Sequence, residues 1–334
     1  MKKLIALLLA FVLVASLVAC GAPAAQDPVE QTGSASNANA DKTYVIGICQ
    51  FVQHPALDAA TKGFKDAVAE AMGDSVKFEE QNASGEASNC STIINGLVNS
   101  KVDLIMANAT PAVAAAYNAT ETIPILGTSV TEYGVALGIE NFDGLVGANV
   151  SGTSDLADLS KQAQMIVDWV PDAKKVGLLY CTAEANSKYQ VEVVKAELEK
   201  KGLECKFFGF ADTSDMSAVT TEAAAFSDVI YVPTDNTVAN YALAIDAICR
   251  PAGVPIVAGE AGICSGCGIA TMSIDYYDLG YETGKMAVEI LRDGADITEM
   301  EIRYAPEVTY QYNEAICTEL GITPLEGYEK LVTE

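Results

Sequence analysis

The chain has 334 residues, half of them hydrophobic, and its 45 acidic residues outnumber 20 basic ones for a net charge of −25. Such a surface repels nucleic acid and anionic lipid, so neither is expected as a direct partner. The acidity is spread along the chain rather than gathered in a tail, and reads as solvation.

The chain opens with Lys2 and Lys3, then an apolar run over residues 4–19 that closes on Leu-Val-Ala before Cys20. A basic start, an apolar core and small residues before a cut make a secretory signal peptide. The pattern at 17–20 resembles the bacterial lipobox, in which Cys20 becomes the lipidated first residue of an exported protein. A transmembrane helix is the rival, but the run is slightly short and no basic stop-transfer cluster follows. Residues 1–19 are expected to be removed. That leaves 18 basic against 45 acidic residues, a net charge near −27. Residues 20–42 form the lipidated cysteine and its tether. The stretch 21–42 has no aromatic residue and one β-branched aliphatic, Val29. It cannot bury enough surface to order itself, and as a flexible coil it spans roughly 25 Å. The expected location is the outer face of the cell membrane, held there through the Cys20 lipid only.

From about Thr43 the chain is globular, and some 290 residues exceed what one core usually holds. Strand-like runs start near Tyr44 (YVIGI), Val76 (VKFEEQ), Asp103 (DLIMANA) and Pro124 (PILGTS). A second set starts near Lys175 (KVGLLYC), Leu203 (LECKFFGF), Asp228 (DVIYVPT) and Pro255 (PIVAG). Helical patterns lie between them. Leu57, Phe64, Val68 and Met72 share one face; Leu156, Leu159, Ala163, Ile166 and Val170 another; Tyr189, Val193, Val194 and Leu198 a third. Alternating strands and helices give an α/β fold of parallel sheets with right-handed crossovers. Two repeats of the pattern predict two doubly wound lobes. The first takes 43–148 and about 275–302, the second 149–274 and about 303–334. The join near 146–153 (VGANVSGT) is rich in small residues and is expected to bend.

In parallel sheets, ligands bind beyond the carboxyl ends of the strands. The first-lobe loops there, at 49–55, 108–111 and 128–131, offer hydroxyls and helix starts with almost no fixed charge before Glu132. Thr110-Pro111 suits a helix N-terminus, which favours an anion such as a carboxylate. The second-lobe loops carry Glu184, Asp235 and Glu260, which favour a cation. A zwitterion such as an amino acid suits both. The bland alternative is that these residues only cap their helices.

Other chemistries fit less well. His54 is the only histidine and precedes Pro55 at a helix start, an ordinary capping position, and no Gly-x-Ser-x-Gly elbow is present. Gly280-Tyr-Glu-Thr-Gly284-Lys285-Met286 suggests a phosphate loop but is one residue short and lacks the Ser or Thr that would hold magnesium. Cys264 and Cys267 have the spacing of half a zinc knuckle or of a dithiol, but no second pair exists, and a local disulfide or two free thiols is the plainer reading. Trp169 reads as core. No enzyme activity, metal or cofactor is expected.

IGICQFVQHPALDAATKGFKDAV, ANATPAV, GTSVTEY, NVSGTSD, YCTAEANS, PTDNTVAN and IDYYDLGYETGKMAVEIL occur in that order. Together they resemble the ABC-transporter substrate-binding lipoproteins of the tryptophan/tyrosine-binding group. The resemblance covers about Thr43 to the C-terminus. It implies a type I periplasmic-binding-protein fold with three crossovers, an amino acid (aromatic or apolar) clamped between the lobes, and a monomer serving an ABC permease and its ATPase. By motif, the ligand carboxylate would meet Thr110 and the backbone at Asn108 and Ala109, with help from Ser129. The ammonium would meet Asp235 with Glu184. Gln50, Phe51, Asn186, Asn236 and Glu260 would shape the pocket, and Asp275 lies near the last crossover. Around 259–268 the run GEAGICSGCG departs from the family, which leaves the ligand side chain open. Receptors of this fold for sugars or nucleosides are the alternative.

Overall fold

The computed structural model describes residues 42–305 and 307–332; the expected signal peptide and Cys20 lie outside them. The first run of elements is β1 (Tyr44–Gln50), α1 (Pro55–Met72), β2 (Val76–Asn82), α2 (Ala87–Ser100), β3 (Leu104–Asn108), α3 (Thr110–Ala119), β4 (Ile125–Val130), α4 (Tyr133–Leu137) and β5 (Val150–Ser154). The second is α5 (Leu159–Trp169), β6 (Lys175–Cys181), α6 (Ala185–Lys200), β7 (Glu204–Phe210), α7 (Thr213–Phe226), β8 (Val229–Val232), α8 (Asn236–Cys249), β9 (Ile256–Ala258), α9 (Ala261–Cys267) and β10 (Ala270–Ile274). The chain ends with α10 (Tyr276–Leu291), β11 (Arg303–Tyr304), β12 (Val308–Tyr312), α11 (Glu314–Leu320) and β13 (Glu329–Lys330).

Among the described residues the strands form two sheets, ordered β11-β5-β4-β3-β1-β2 and β13-β12-β10-β9-β8-β6-β7. All pairs are parallel except β10 with β12. The central strands β3, β4 and β8 are buried along their whole length, as sheets covered on both faces require. The edge strands β2 and β7 carry Lys77, Glu79 and Lys206, whose charges blunt the open edge. Each sheet has a core on each face. Leu97, Ile105 and Val113 are in one first-lobe core; Ile46, Phe64 and Met106 are in the other. Trp169 is buried in a second-lobe core, its ring edge-on to Tyr328 at 5.0 Å.

Two short strands fall across the expected lobe boundaries. Val150–Ser154, expected as a bend, is β5 and pairs with β4; β11 pairs with β5 in the same first sheet. The five residues of β5 are small and fully buried, although three of them, Ser151, Thr153 and Ser154, carry hydroxyls. Their hydroxyls are satisfied inside: Ser151 donates to the Met300 carbonyl at 2.8 Å, and Thr153 Oγ1 lies 2.8 Å from Thr283 Oγ1. Gly152 is required there, because a Cβ would sit 2.0 Å from the Gly127 carbonyl. α10 returns to the first lobe and packs along α1. Gly63, Gly280 and Gly284 let the two helix backbones touch; a Cβ on Gly280 would lie 1.9 Å from the Ala60 carbonyl oxygen. The resemblance of 280–286 to a phosphate loop is therefore a helix-packing feature.

Candidate functional site

A cavity lies between the lobes at the carboxyl ends of the strands. Its first-lobe wall is His54 and Leu57 after β1, Ser129 and Thr131 after β4, and Asp155 after β5. The facing wall is Asn186, Thr234, Asp235, Asn236, Ala239 and Glu260 from the starts of α6, α8 and α9, with Tyr276 at the start of α10. Five of the six loops expected to share a cleft contribute. The loop after β3 does not.

The second-lobe acids are held by helix starts. Asp235 accepts from the Val238 amide at 2.8 Å and from the Cys181 amide at 2.7 Å, so each oxygen is engaged. Burial and the neighbouring charge of Glu184 push its carboxyl well above the usual range. Glu184 accepts from the Asn236 and Thr237 amides and from the side chains of Asn236 and Thr237. Glu260 accepts from the amides of Gly262 and Ile263, and burial pushes it up. The capping alternative thus describes Asp235 and Glu260, whereas Glu184 makes no cap bond to α6 and serves the first amides of α8; a buried carboxylate is tolerated where several N–H groups converge on it. Asp275 is exposed and caps α10 through the Asp278 amide.

Gln50 and Asn108 hold α1 to the strand ends and stand outside the cavity wall. Gln50 Nε2 donates to Asp58 at 2.7 Å and its Oε1 accepts from Thr61; Asn108 Nδ2 donates to the Leu57 carbonyl and to Thr61. Phe51 is core. Ala109 and Thr110 are buried and likewise absent from the wall. Ala109 (φ +85°) and Ser129 (φ +54°) both adopt left-handed backbone. Such strain outside glycine persists only where the surroundings impose it.

Three buried polar atoms in the wall have no hydrogen-bond partner: Ser129 Oγ, Asp155 Oδ1 and Asn186 Oδ1. An unsatisfied buried polar atom costs roughly 1–3 kcal/mol, so these three leave the wall with polar groups available to a bound molecule. Asp155 is the residue missed from sequence. It closes the stretch NVSGTSD, is 5% exposed, and accepts a hydrogen bond from the Tyr276 hydroxyl at 3.0 Å on its other oxygen. Burial raises its carboxyl to about 6, against the pull of the Thr131 and Tyr276 hydroxyls. His54 does not cap α1 with its side chain. Instead His54 Nε2 lies 3.2 Å from Asn236 Oδ1 in the other lobe. Asn236 Nδ2 donates to Glu184 at 2.6 Å. This fixes the amide orientation and makes His54 the donor. Cys264 and Cys267 are buried free thiols that donate to the backbone carbonyls of Gly268 and Ile263.

Two α/β lobes with a polar cavity between their strand ends define a solute-binding protein. The chain belongs to the ABC transporter substrate-binding protein family, which it matches over residues 45–333; this is a family of binding proteins rather than of enzymes. It is 34% identical over 333 residues, 98% of this chain and 94% of the relative, to the tyrosine-binding protein of Clostridioides difficile (strain R20291). Among solved structures it is similar to a domain from Streptococcus pneumoniae in complex with L-Trp, at 32% identity and a TM-score of 0.82, covering 87% of this chain and 100% of that one. It is also similar to the ligand-free, open structure of a substrate-binding protein with adhesive properties from Clostridium difficile, at 34% identity and a TM-score of 0.67, with the same coverage. The fold is that of the type I periplasmic-binding proteins.

Proposed function

We propose that this protein is the receptor of an ABC importer for an amino acid, and that it holds the ligand as a zwitterion between Ser129 and the pair Asp155 and Asn186. The observation that carries this reading is the convergence of one unpaired hydroxyl and two unpaired acceptors on one cavity. The ammonium donates to Asp155 Oδ1 and Asn186 Oδ1. The carboxylate accepts from Ser129. This revises the assignment of the ammonium to Asp235 and Glu184, whose oxygens serve backbone amides. The tyrosine- and tryptophan-binding relatives support an aromatic side chain. The higher similarity to the Trp-bound structure than to the open one supports a closed arrangement of the two lobes. Lys2, Lys3 and the LVAC stretch support export and lipidation of Cys20, with the closed receptor delivering to a membrane permease and its ATPase.

A calorimetric panel tests the zwitterion requirement. L-tyrosine and L-tryptophan bind, and tyramine or tryptamine, which lack the carboxylate, bind at least tenfold more weakly. So do the matching aryl-propionates, which lack the ammonium. At 100 times Kd, ligand should add roughly 2.7 kcal/mol of stability. Equal binding of the amine and the amino acid would remove the role given to Ser129.

A further inference from the structure

A second cavity of about 380 Å³ lies behind the ligand cleft, bounded by α4, β5, α6 and β11. Its volume falls in the range that holds small molecules. Four aromatic rings line it: Tyr133, Phe142, Tyr189 and Tyr304. Tyr133 and Phe142 stack with centroids 6.4 Å apart and planes at 28°. Tyr189 comes from the second lobe, and Tyr304 is left 56% exposed. The fixed charges in the wall are the carboxylates of Glu132, Asp143 and Glu301, and no lysine, arginine or histidine lines it. Among the described residues none of these three carboxylates forms an ion pair, and Glu132 caps α4 by accepting from the Val135 amide, which leaves Asp143 and Glu301 as the free acids.

We propose that this cavity is a second binding site, for a small organic cation of the alkylammonium class. Ring faces are electron-rich and attract a cation within about 6 Å of the centroid, most strongly where water is displaced. Carboxylates at the rim add attraction and give the cavity one sign of charge. An alkylammonium group matches both because it presents a charged but weakly hydrated apolar surface. The site adjoins the amino-acid cleft and shares Thr131 with its wall. Ser154 faces this cavity and the next residue, Asp155, faces the cleft. The wall between them is hydrogen-bonded: Ser154 Oγ donates to the Thr131 carbonyl at 2.8 Å and the Tyr133 hydroxyl to the Thr153 carbonyl at 3.1 Å.

Calorimetric titration of the full chain at fixed ionic strength and saturating L-tryptophan, which holds the lobes closed, tests this, with choline as probe and 3,3-dimethylbutan-1-ol as its uncharged isostere. Choline should bind one to one, and the alcohol at least tenfold more weakly. Tyr304→Ala should weaken choline at least fivefold with an unchanged melting temperature, since the ring is exposed. Glu301→Gln should weaken it in the same direction. Asp155→Asn should leave choline affinity unchanged. The proposal is overturned by the absence of saturable choline binding, by equal binding of the alcohol, by a Tyr304→Ala variant that binds choline as well as the parent, or by loss of choline binding in Asp155→Asn, which would place the cation in the cleft.

Discussion

Under the proposed ligand geometry, Asp155 is where stability and binding oppose each other. Its carboxyl rises from 3.8 to about 6 in the folded protein because burial penalises the charge. The folded state therefore holds a proton that the unfolded chain releases, and this group's contribution to stability falls as pH rises from about 4 through 6. At one pKa unit per 1.36 kcal/mol, the ionised form costs up to about 3 kcal/mol at neutral pH in the closed arrangement without ligand. An ammonium offsets that cost. Asp155→Asn keeps the shape and the Tyr276 contact but removes the charge. The variant should bind amino acids at least thirtyfold more weakly at pH 7.5, while its ligand-free melting temperature, read in the open arrangement, should match the parent's. In the parent, affinity should be flat above pH 7 and fall below about 6, as proton and ammonium compete for the carboxylate. A variant that binds like the parent at all pH values removes Asp155 from the site. The residue escaped sequence reading for a local reason. Runs of large apolar residues signal the other strands, and VSGTS does not look like one. Its hydroxyls are satisfied by partners as distant in sequence as Thr283 and Met300, which no window along the chain reveals.

The seam of α1 against α10 shows the same logic one level up. The helices themselves are legible, because Leu57, Phe64 and Val68 recur at helical spacing and are buried. The partner of α1 is not, since it lies more than two hundred residues away. What sets the approach is glycine: a Cβ on Gly63 would meet the Tyr277 carbonyl oxygen at 2.1 Å, and one on Gly284 the Phe64 carbonyl oxygen at 2.6 Å. Gly280→Ala forces backbones apart rather than a flexible side chain, so it should destabilise at the upper end of the 1–3 kcal/mol typical of overpacking. Gly96 in α2 is the control. It is exposed in a helix interior with nothing within 4 Å of an added Cβ, and Gly96→Ala should stabilise by roughly 0.5–1 kcal/mol. Urea denaturation reads both. Opposite signs support the packing account, and a neutral Gly280→Ala removes it. The capping residues belong to this scale too. Asp235 and Glu260 were legible as N-caps from position alone; that their oxygens would be fully occupied depends on the amides of Cys181 and Gly262 reaching them.

At the scale of the whole molecule, function rests on two lobes joined by three short passages: after β5, between β10 and α10, and between β11 and β12. The two-lobe plan was readable because the strand–helix pattern repeats. How the lobes meet was not, since it depends on single contacts across the cleft. His54 is such a contact, donating from the first lobe to Asn236 in the second. Asn236 is itself held by Glu184, so the acceptor is positioned before the lobes meet. A contact made only in the closed arrangement adds to ligand affinity by favouring closure, and adds nothing to the stability of the open one. A neutral hydrogen bond contributes about 1 kcal/mol, or roughly fivefold in a binding constant. His54→Ala should therefore weaken amino-acid binding about fivefold while the melting temperature of the ligand-free protein in its open arrangement stays the same. Small-angle scattering should show the radius of gyration still falling on saturation, because the ligand's own contacts drive closure. Unchanged affinity would mean that the cross-lobe bond is no stronger than the water contacts it replaces. A lower ligand-free melting temperature would mean that His54 supports the first lobe rather than the closed pair.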